Sequence, residues 1–221
     1  MMMLEYKNAQ VDLAPTKIVA VARNYRAHAE EMGSPVPEIP TIFLKPPSSL
    51  IGDDGVIVLP AASQRVDHEV ELAVVMKDRC KNVSAREALD FVMGYTVFID
   101  VTARDLQAEA RKKGLSWAVS KGFDTFAPIG PKIVAKDEID PHSLDIWLKI
   151  NGVYRQNGTT QDMLFPVDEL ISHITGIMTL EPMDIIATGT PEGVGPMVEG
   201  DVVEAGIEGI GVLTAAVQRD R

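Results

Sequence analysis

Short apolar runs recur along the chain, separated by Gly, Pro and Asn, which is the pattern of a strand-rich protein. Strands are predicted over residues 17–22, 41–44, 56–59, 69–76, 94–100, 145–150, 184–188, 201–207 and 211–218. Asn151-Gly152 separates 145–150 from Val153-Tyr154-Arg155, and Asn-Gly favours the type I′ turn of a hairpin. Helices are few and short. Ser84 and Glu87 form a capping box leading into residues 88–91. A second helix covers 102–112. A third covers 166–178, with Pro166 in its first turn and Leu170, Ile174 and Ile177 on one stripe. A helical turn is expected around 24–32. Segments 33–40 and 45–54, rich in Pro and Gly, are loops that could cover a site. The order of elements is neither a run of βαβ units nor a helical bundle, so the fold class is α+β and β-rich.

Composition narrows this little. At 221 residues and 46% hydrophobic, the chain suits a packed globule. The formal net charge of -11, with no basic run, argues against nucleic acid as a partner, and the excess acid serves solubility first. The lone cysteine, Cys80, lies in a turn-like sequence, Lys77-Asp78-Arg79-Cys80-Lys81, and suits a reducing compartment. The first residues lack the basic and apolar regions of a signal peptide, and no apolar stretch approaches the roughly 18 residues of a membrane span. A cytoplasmic protein with no membrane partner is expected.

The chemistry concentrates in Asp67-His68-Glu69-Val70-Glu71-Leu72-Ala73-Val74-Val75-Met76. In a strand, Val70, Leu72 and Val74 share one face, while Asp67, Glu69, Glu71, Ala73 and Val75 share the other. Two acids then enter an otherwise apolar face, which is costly without a cation. Taken alone, the segment also fits an edge strand with its acidic face in water. The apolar run 95–99 ends in Asp100 just before a helix, where Asp100 is either a helix cap or part of a site. Three carboxylates without Cys or His would make a hard-oxygen site suited to Mg2+, Mn2+ or Ca2+ rather than Zn2+.

These segments, together with Gly94–Gln107, the run Gly189-Thr190-Pro191-Glu192-Gly193-Val194-Gly195 and Arg23-Asn24-Tyr25 followed by His28, resemble the fumarylacetoacetate hydrolase family. The resemblance spans residues 17–217 and is nearest to the single-domain branch: acylpyruvases, oxaloacetate decarboxylases or tautomerases, and isomerases of hydroxydienedioates. It implies a mixed β-roll or β-sandwich with short flanking helices, residues 17–221 forming one catalytic domain after a short segment 1–16, and a homodimer. It implies Mg2+ or Mn2+ on Glu69, Glu71 and Asp100. It also implies a catalytic His28–Glu31 pair, an active-site Lys121, and substrate contacts from Arg23, Arg104, Gln107 and Thr190.

Each of these residues has a physical reading of its own. His28 and Glu31 are one helical turn apart, so the carboxylate can orient the imidazole as a base; the same spacing fits a surface ion pair. Lys121 could stabilise an enolate oxygen or sit on the surface. Arg104 could clamp a carboxylate, or pair with Asp105 or Glu109. Gly189–Gly195 could bring amides close to an anion or simply join two strands. His68, His142 and His173 read as structural or peripheral. The expected partner is a 2-oxo or β-dicarbonyl acid. The expected activity is enolate chemistry at a metal: C–C hydrolysis of acylpyruvates or decarboxylation of oxaloacetate, with isomerisation or tautomerisation as the alternative. A non-catalytic, metal-stabilised binding module is the reading from another class.

Overall fold

A computed structural model describes residues 2–220. It is strand-rich, with short helices at the periphery. The largest sheet has nine strands. Its spine runs Ala9–Asp12, Met3–Tyr6, Ala127–Ala135, Val92–Ile99, Val70–Met76, Ile185–Ala187, Ile18–Ala22 and Thr41–Lys45, with Leu50–Ile51 pairing beside Ala127–Ala135. A five-stranded sheet is built from Val153–Thr159, Asp145–Ile150, Val202–Ile207, Gly211–Arg219 and Gly55–Leu59. The mixed sheets and short helices are those of the expected β-rich class.

The large sheet is covered on both faces, and the alternation of its central strand shows why. Val70, Leu72 and Val74 face a core shared with Ile146, Leu148, Val203 and Leu213 of the five-stranded sheet and with Leu170, Ile171 and Ile174 of the helix Val167–Ile177. Ala73 and Val75 face a second core with Ile18, Phe98, Ile129 and Ile185. Burial of each such aliphatic side chain contributes roughly 1.5–3 kcal/mol, so the strand is pinned in register from both sides. Glu71 has the parity of Ala73 and Val75, and follows their face to the end of the strand.

Local features follow the sequence with some differences. Asn151 and Gly152 have φ of 52° and 77°, both in the left-handed region, as the predicted turn requires. Ser84 Oγ bonds Glu87 Oε2 at 2.6 Å, so the two side chains meet each other and no side chain caps that helix. The helix after Asp100 begins at Arg104, because Thr102–Ala103 pair with Val66–His68 first. The third helix is capped from outside: His142 Nε2 accepts from the Val167 amide at 3.1 Å. The expected strand 69–76 is interrupted at Glu69, between Val66–His68 and Val70–Met76.

That interruption is held by one side chain. Gln156, from the strand Val153–Thr159, accepts at Oε1 from the Val70 amide and meets His68 Nδ1, both at 3.0 Å. Its Nε2 donates to Thr190 Oγ1 at 2.7 Å and the Pro191 carbonyl at 2.9 Å. Gln156 thus holds the backbone after Glu69 and the imidazole before it, and ties both to the 189–195 loop. Replacing it with Ala leaves buried donors unpaired, which costs about 1–3 kcal/mol. Urea unfolding of Gln156→Ala is expected to show a loss in that range; an unchanged midpoint would contradict this role.

Candidate active site

Val70–Met76 and Val92–Ile99 are antiparallel neighbours with Val70 opposite Ile99, so Glu69 and Asp100 lie at the same end of the sheet. The Asp100 amide donates to the Glu69 carbonyl at 2.8 Å. Carboxylate oxygens of Glu69, Glu71 and Asp100 lie within 4.8 Å of one another, and all three residues are buried. Two like charges about 4 Å apart repel by roughly 4 kcal/mol even at an effective dielectric near 20. Such a cluster persists only with compensation.

Three cations supply most of it. Lys121 Nζ bridges Glu69 Oε2, at 2.9 Å, and Asp100 Oδ2. Lys45 Nζ, fully enclosed, donates to Asp100 Oδ1 at 2.6 Å and to the Val101 carbonyl at 3.3 Å. Arg104 reaches Glu69 Oε1 through Nη2, Asp67 Oδ2 through Nε at 2.8 Å and Gln107 Oε1 through Nη1 at 2.7 Å. Glu71 receives only the Gly189 amide, at 2.8 Å, and pairs with no cation among the described residues.

The ionisation tendencies follow this geometry. Burial raises the Glu71 carboxyl well above the ordinary range, and Asp100 and Glu69 push it further in the same direction. Burial also opposes ionisation of Glu69, but Lys121 and Arg104 outweigh it and hold this group below the ordinary range. Lys121 resists burial through Asp100 and Glu69 and is raised. Burial lowers Lys45 despite Asp100. The donor set is oxygen alone, buried, with one carboxylate lacking a cation. That chemistry fits a hard divalent cation held by Glu69, Glu71 and Asp100.

The cluster forms one wall of a cavity that holds about 90 Å³. His28, Arg23, Thr190, Arg104, Gln107 and Lys121 line it as well, so the structure brings the sequence-selected residues to one place. Glu31 stands behind His28: its Oε2 lies 3.3 Å from His28 Nδ1, and both its oxygens accept from the Gly193 amide at 3.1 and 3.2 Å. The helix Arg26–Glu31 therefore carries the pair, and the 189–195 loop anchors it. Arg104 pairs with neither Asp105 nor Glu109; its donors are directed to Asp67, Glu69 and Gln107. Asp105 instead binds Ser63 Oγ at 2.6 Å and the Gln64 amide at 2.8 Å.

Sequence reasoning did not single out Lys45, Ser34, Phe43, Arg111 or Trp117. A signal for Lys45 existed: in the strand Thr41–Lys45 it shares parity with Phe43, which lines the cavity, and a lysine on an inward face calls for a carboxylate partner. Tyr25 is also buried, and its hydroxyl finds no partner among the described residues. Its ionisation is suppressed by burial, with Glu71 adding to the effect.

Residues 17–218 match the family described as fumarylacetoacetate (FAA) hydrolase C-terminal. The chain belongs to that family. It is 48% identical to the mitochondrial oxaloacetate tautomerase of Arabidopsis thaliana over 204 residues, covering 92% of each chain. Among solved structures it is similar to fumarylpyruvate hydrolase from Pseudomonas aeruginosa in complex with Mn2+ and pyruvate. That likeness has TM-score 0.92 and 30% identity, covering 99% of this chain and 96% of that one. It is also similar to 5-carboxymethyl-2-hydroxymuconate delta-isomerase from Mycobacterium smegmatis, with TM-score 0.86 and 46% identity, covering 95% of this chain and 81% of that one. The family's members thus include a tautomerase, an isomerase and a hydrolase. No helix among the described residues is long and apolar enough to cross a membrane.

The raised Glu71 carboxyl gives a pH test. Between the ordinary carboxyl range and its raised value, the folded state holds a proton that the unfolded state has released. Metal-free protein therefore loses stability as pH rises through that window. A bound divalent cation replaces that proton, so its stabilisation grows with pH. The gain in Tm on adding Mn2+ to chelator-treated protein is expected to be larger near pH 8 than near pH 5. An equal gain at both would contradict it.

Proposed function

We propose that this protein is a divalent-metal-dependent enzyme of 2-oxo acids that moves a proton at the carbon beside the keto group, and that keto–enol tautomerisation of oxaloacetate is the reaction its site supports best. The observation that carries this reading is the buried Glu69–Glu71–Asp100 cluster opening into the cavity that His28 lines. Mg2+ or Mn2+ on those three carboxylates supplies Lewis acidity toward the carboxylate and keto oxygens of a 2-oxo acid.

The chain's own residues do the rest. Lys121, whose carboxylate partners raise its pKa, stays charged and serves as a fixed positive group facing the developing oxyanion, rather than as a base. With Glu31 ionised, His28 carries its proton on Nδ1 toward that carboxylate, which leaves the Nε2 lone pair as the base. His28 then takes a proton from C3 and delivers it to the C2 oxygen, giving the enol; the same transfer reversed converts enol to keto. Gly193 keeps Glu31 in place while this happens. The relatives named as tautomerases, at nearly half identity, support this choice.

A second reading is favoured by the same His28–Glu31 pair. If a water lies within reach of His28 Nε2, His28 deprotonates it, the water oxygen adds to the distal acyl carbonyl of an acylpyruvate, the bond between that carbon and C3 breaks, and C3 of the released pyruvate enolate takes the proton from His28. The likeness to a fumarylpyruvate hydrolase supports it.

The test is conversion of enol-oxaloacetate to the keto form, run beside cleavage of acetylpyruvate and fumarylpyruvate, with and without Mg2+ or Mn2+. Metal-dependent tautomerisation, reduced about 10²–10⁴-fold in His28→Ala, is expected. Cleavage without tautomerisation would move the protein to the second reading. Neither activity in the metal-supplied protein would refute both.

A further inference from the structure

Residues 63–67 clasp the start of the helix Arg104–Lys113, which carries no side-chain cap of its own. Ser63 Oγ and the Gln64 amide donate to Asp105, and the Arg104 amide donates to the Arg65 carbonyl at 2.8 Å. Asp67 completes the clasp from the centre of a small sheet, where Val66–His68 lies between Thr102–Ala103 and Gly195–Pro196. It is fully buried. A buried carboxylate is costly unless it is paired, and Asp67 meets two guanidinium groups. Its Oδ1 accepts from Arg65 Nε at 2.9 Å, and its Oδ2 accepts from Arg65 Nη2 at 3.2 Å and from Arg104 Nε at 2.8 Å.

The two arginines lead to different places. Arg65 is exposed, whereas Arg104 is largely buried and lines the cavity. A guanidinium carries its N–H donors in one rigid plane. Arg104 spends Nε on Asp67, one Nη1 hydrogen on Gln107 and one Nη2 hydrogen on Glu69. One hydrogen on each Nη is left without a partner among the described residues, and these two nitrogens form the end of the fork. The three anchors are unequal. Gln107 is neutral and lines the cavity. Glu69 lines it too and shares its other oxygen with Lys121. Asp67 is the charged anchor that neither lines the cavity nor belongs to the carboxylate cluster. It therefore stays on Arg104 when a ligand in the cavity draws on Glu69 or Gln107.

We propose that Asp67 is a positioning residue for Arg104: by holding Nε it keeps the free end of the guanidinium turned toward the anionic oxygens of the substrate. The inference rests on the reading of the cavity as a 2-oxo-acid site. Without the Asp67 charge, Glu69 becomes the one charged partner of Arg104, and the guanidinium closes on it edge to edge through Nε and Nη2. That arrangement turns donors away from the substrate. Were Asp67 there only to hold the helix, Asp105 would be its equal, since Asp105 ties residues 63–64 to the same helical turn and pairs with no guanidinium among the described residues.

The test is steady-state conversion of enol-oxaloacetate by Mg2+-supplied protein in Asp67→Asn, Asp67→Glu, Asp105→Asn, Arg104→Met and the double variant Asp67→Asn/Arg104→Met, beside Mn2+ titration of each. Asp67→Asn is expected to raise KM about tenfold or more with a smaller change in kcat, as the loss of a charged substrate contact does. Asp67→Glu should recover part of that loss, and Asp105→Asn should leave KM unchanged. In the Arg104→Met background Asp67→Asn should add nothing, because the group it aims is gone. Mn2+ affinity should be the same in wild type and Asp67→Asn. An unchanged KM in Asp67→Asn, a rise of the same size in the Arg104→Met background, or a matching rise in Asp105→Asn would overturn the positioning role and leave the proposed function standing. Loss of Mn2+ binding in both Asp67 variants would make Asp67 a support of the carboxylate cluster and overturn it as well. A wild type that turns over no 2-oxo acid would overturn the proposed function, and the positioning role with it.

Discussion

The repulsion among Glu69, Glu71 and Asp100 is the constraint around which this molecule is arranged. Three carboxyl groups share a buried space, and their oxygens lie within 4.8 Å of one another. Burial would neutralise them by protonation unless positive charge were built in. Lys121, Lys45 and Arg104 meet that demand for Glu69 and Asp100. Among the described residues Glu71 is left with a single amide and a raised affinity for a proton, and such a carboxylate suits a divalent cation.

The sheet exists in the form needed to hold this cluster. Two apolar cores clamp the strand Val70–Met76 from both faces, so neither Glu69 nor Glu71 can escape by a shift in register. Polar side chains then fix the loops around it. Gln156 holds the Val70 amide and the His68 imidazole on either side of Glu69 and reaches Thr190. Asn24 donates to the Thr188 and Phe165 carbonyls at 2.8 and 3.0 Å and accepts from the Phe165 amide at 2.8 Å, fixing the approach to His28. Removing any of these ties disturbs geometry before it disturbs charge.

Much of this was legible in the sequence because strand parity is a strong signal. Two acids sharing a face with Ala73 and Val75, and an acid closing an apolar strand at Asp100, suggest a cluster, but an edge strand and a helix cap fit them as well, and the family resemblance is what joins the three. Legibility failed where local rules were overruled. The strand Ala127–Ala135 contains Pro128 and Pro131, which argue against an interior strand, yet it pairs on both sides, and its register with Val92–Ile99 shifts between Gly130 and Val134. The hairpin of Met3–Tyr6 and Ala9–Asp12 turns on Lys7 and Asn8 at φ of 49° and 62°, without the Asn-Gly that would have announced it. Lys45 fell in a segment read as loop, and its partner Asp100 is 55 residues away, a distance no local pattern spans.

The most direct measurement is the stoichiometry of Mn2+ binding near neutral pH, followed by the spectrum of the bound ion, in wild type and in Glu71→Gln. The variant keeps the shape of the side chain and removes its charge, while every cation pair of Glu69 and Asp100 is left in place. The account predicts one Mn2+ per chain in the wild type and affinity lower by about tenfold or more in the variant, since one charged ligand is worth at least one strong contact. Equal affinity in the two proteins, or no bound Mn2+ in the wild type, would contradict the claim that the carboxylate cluster is built around a metal ion.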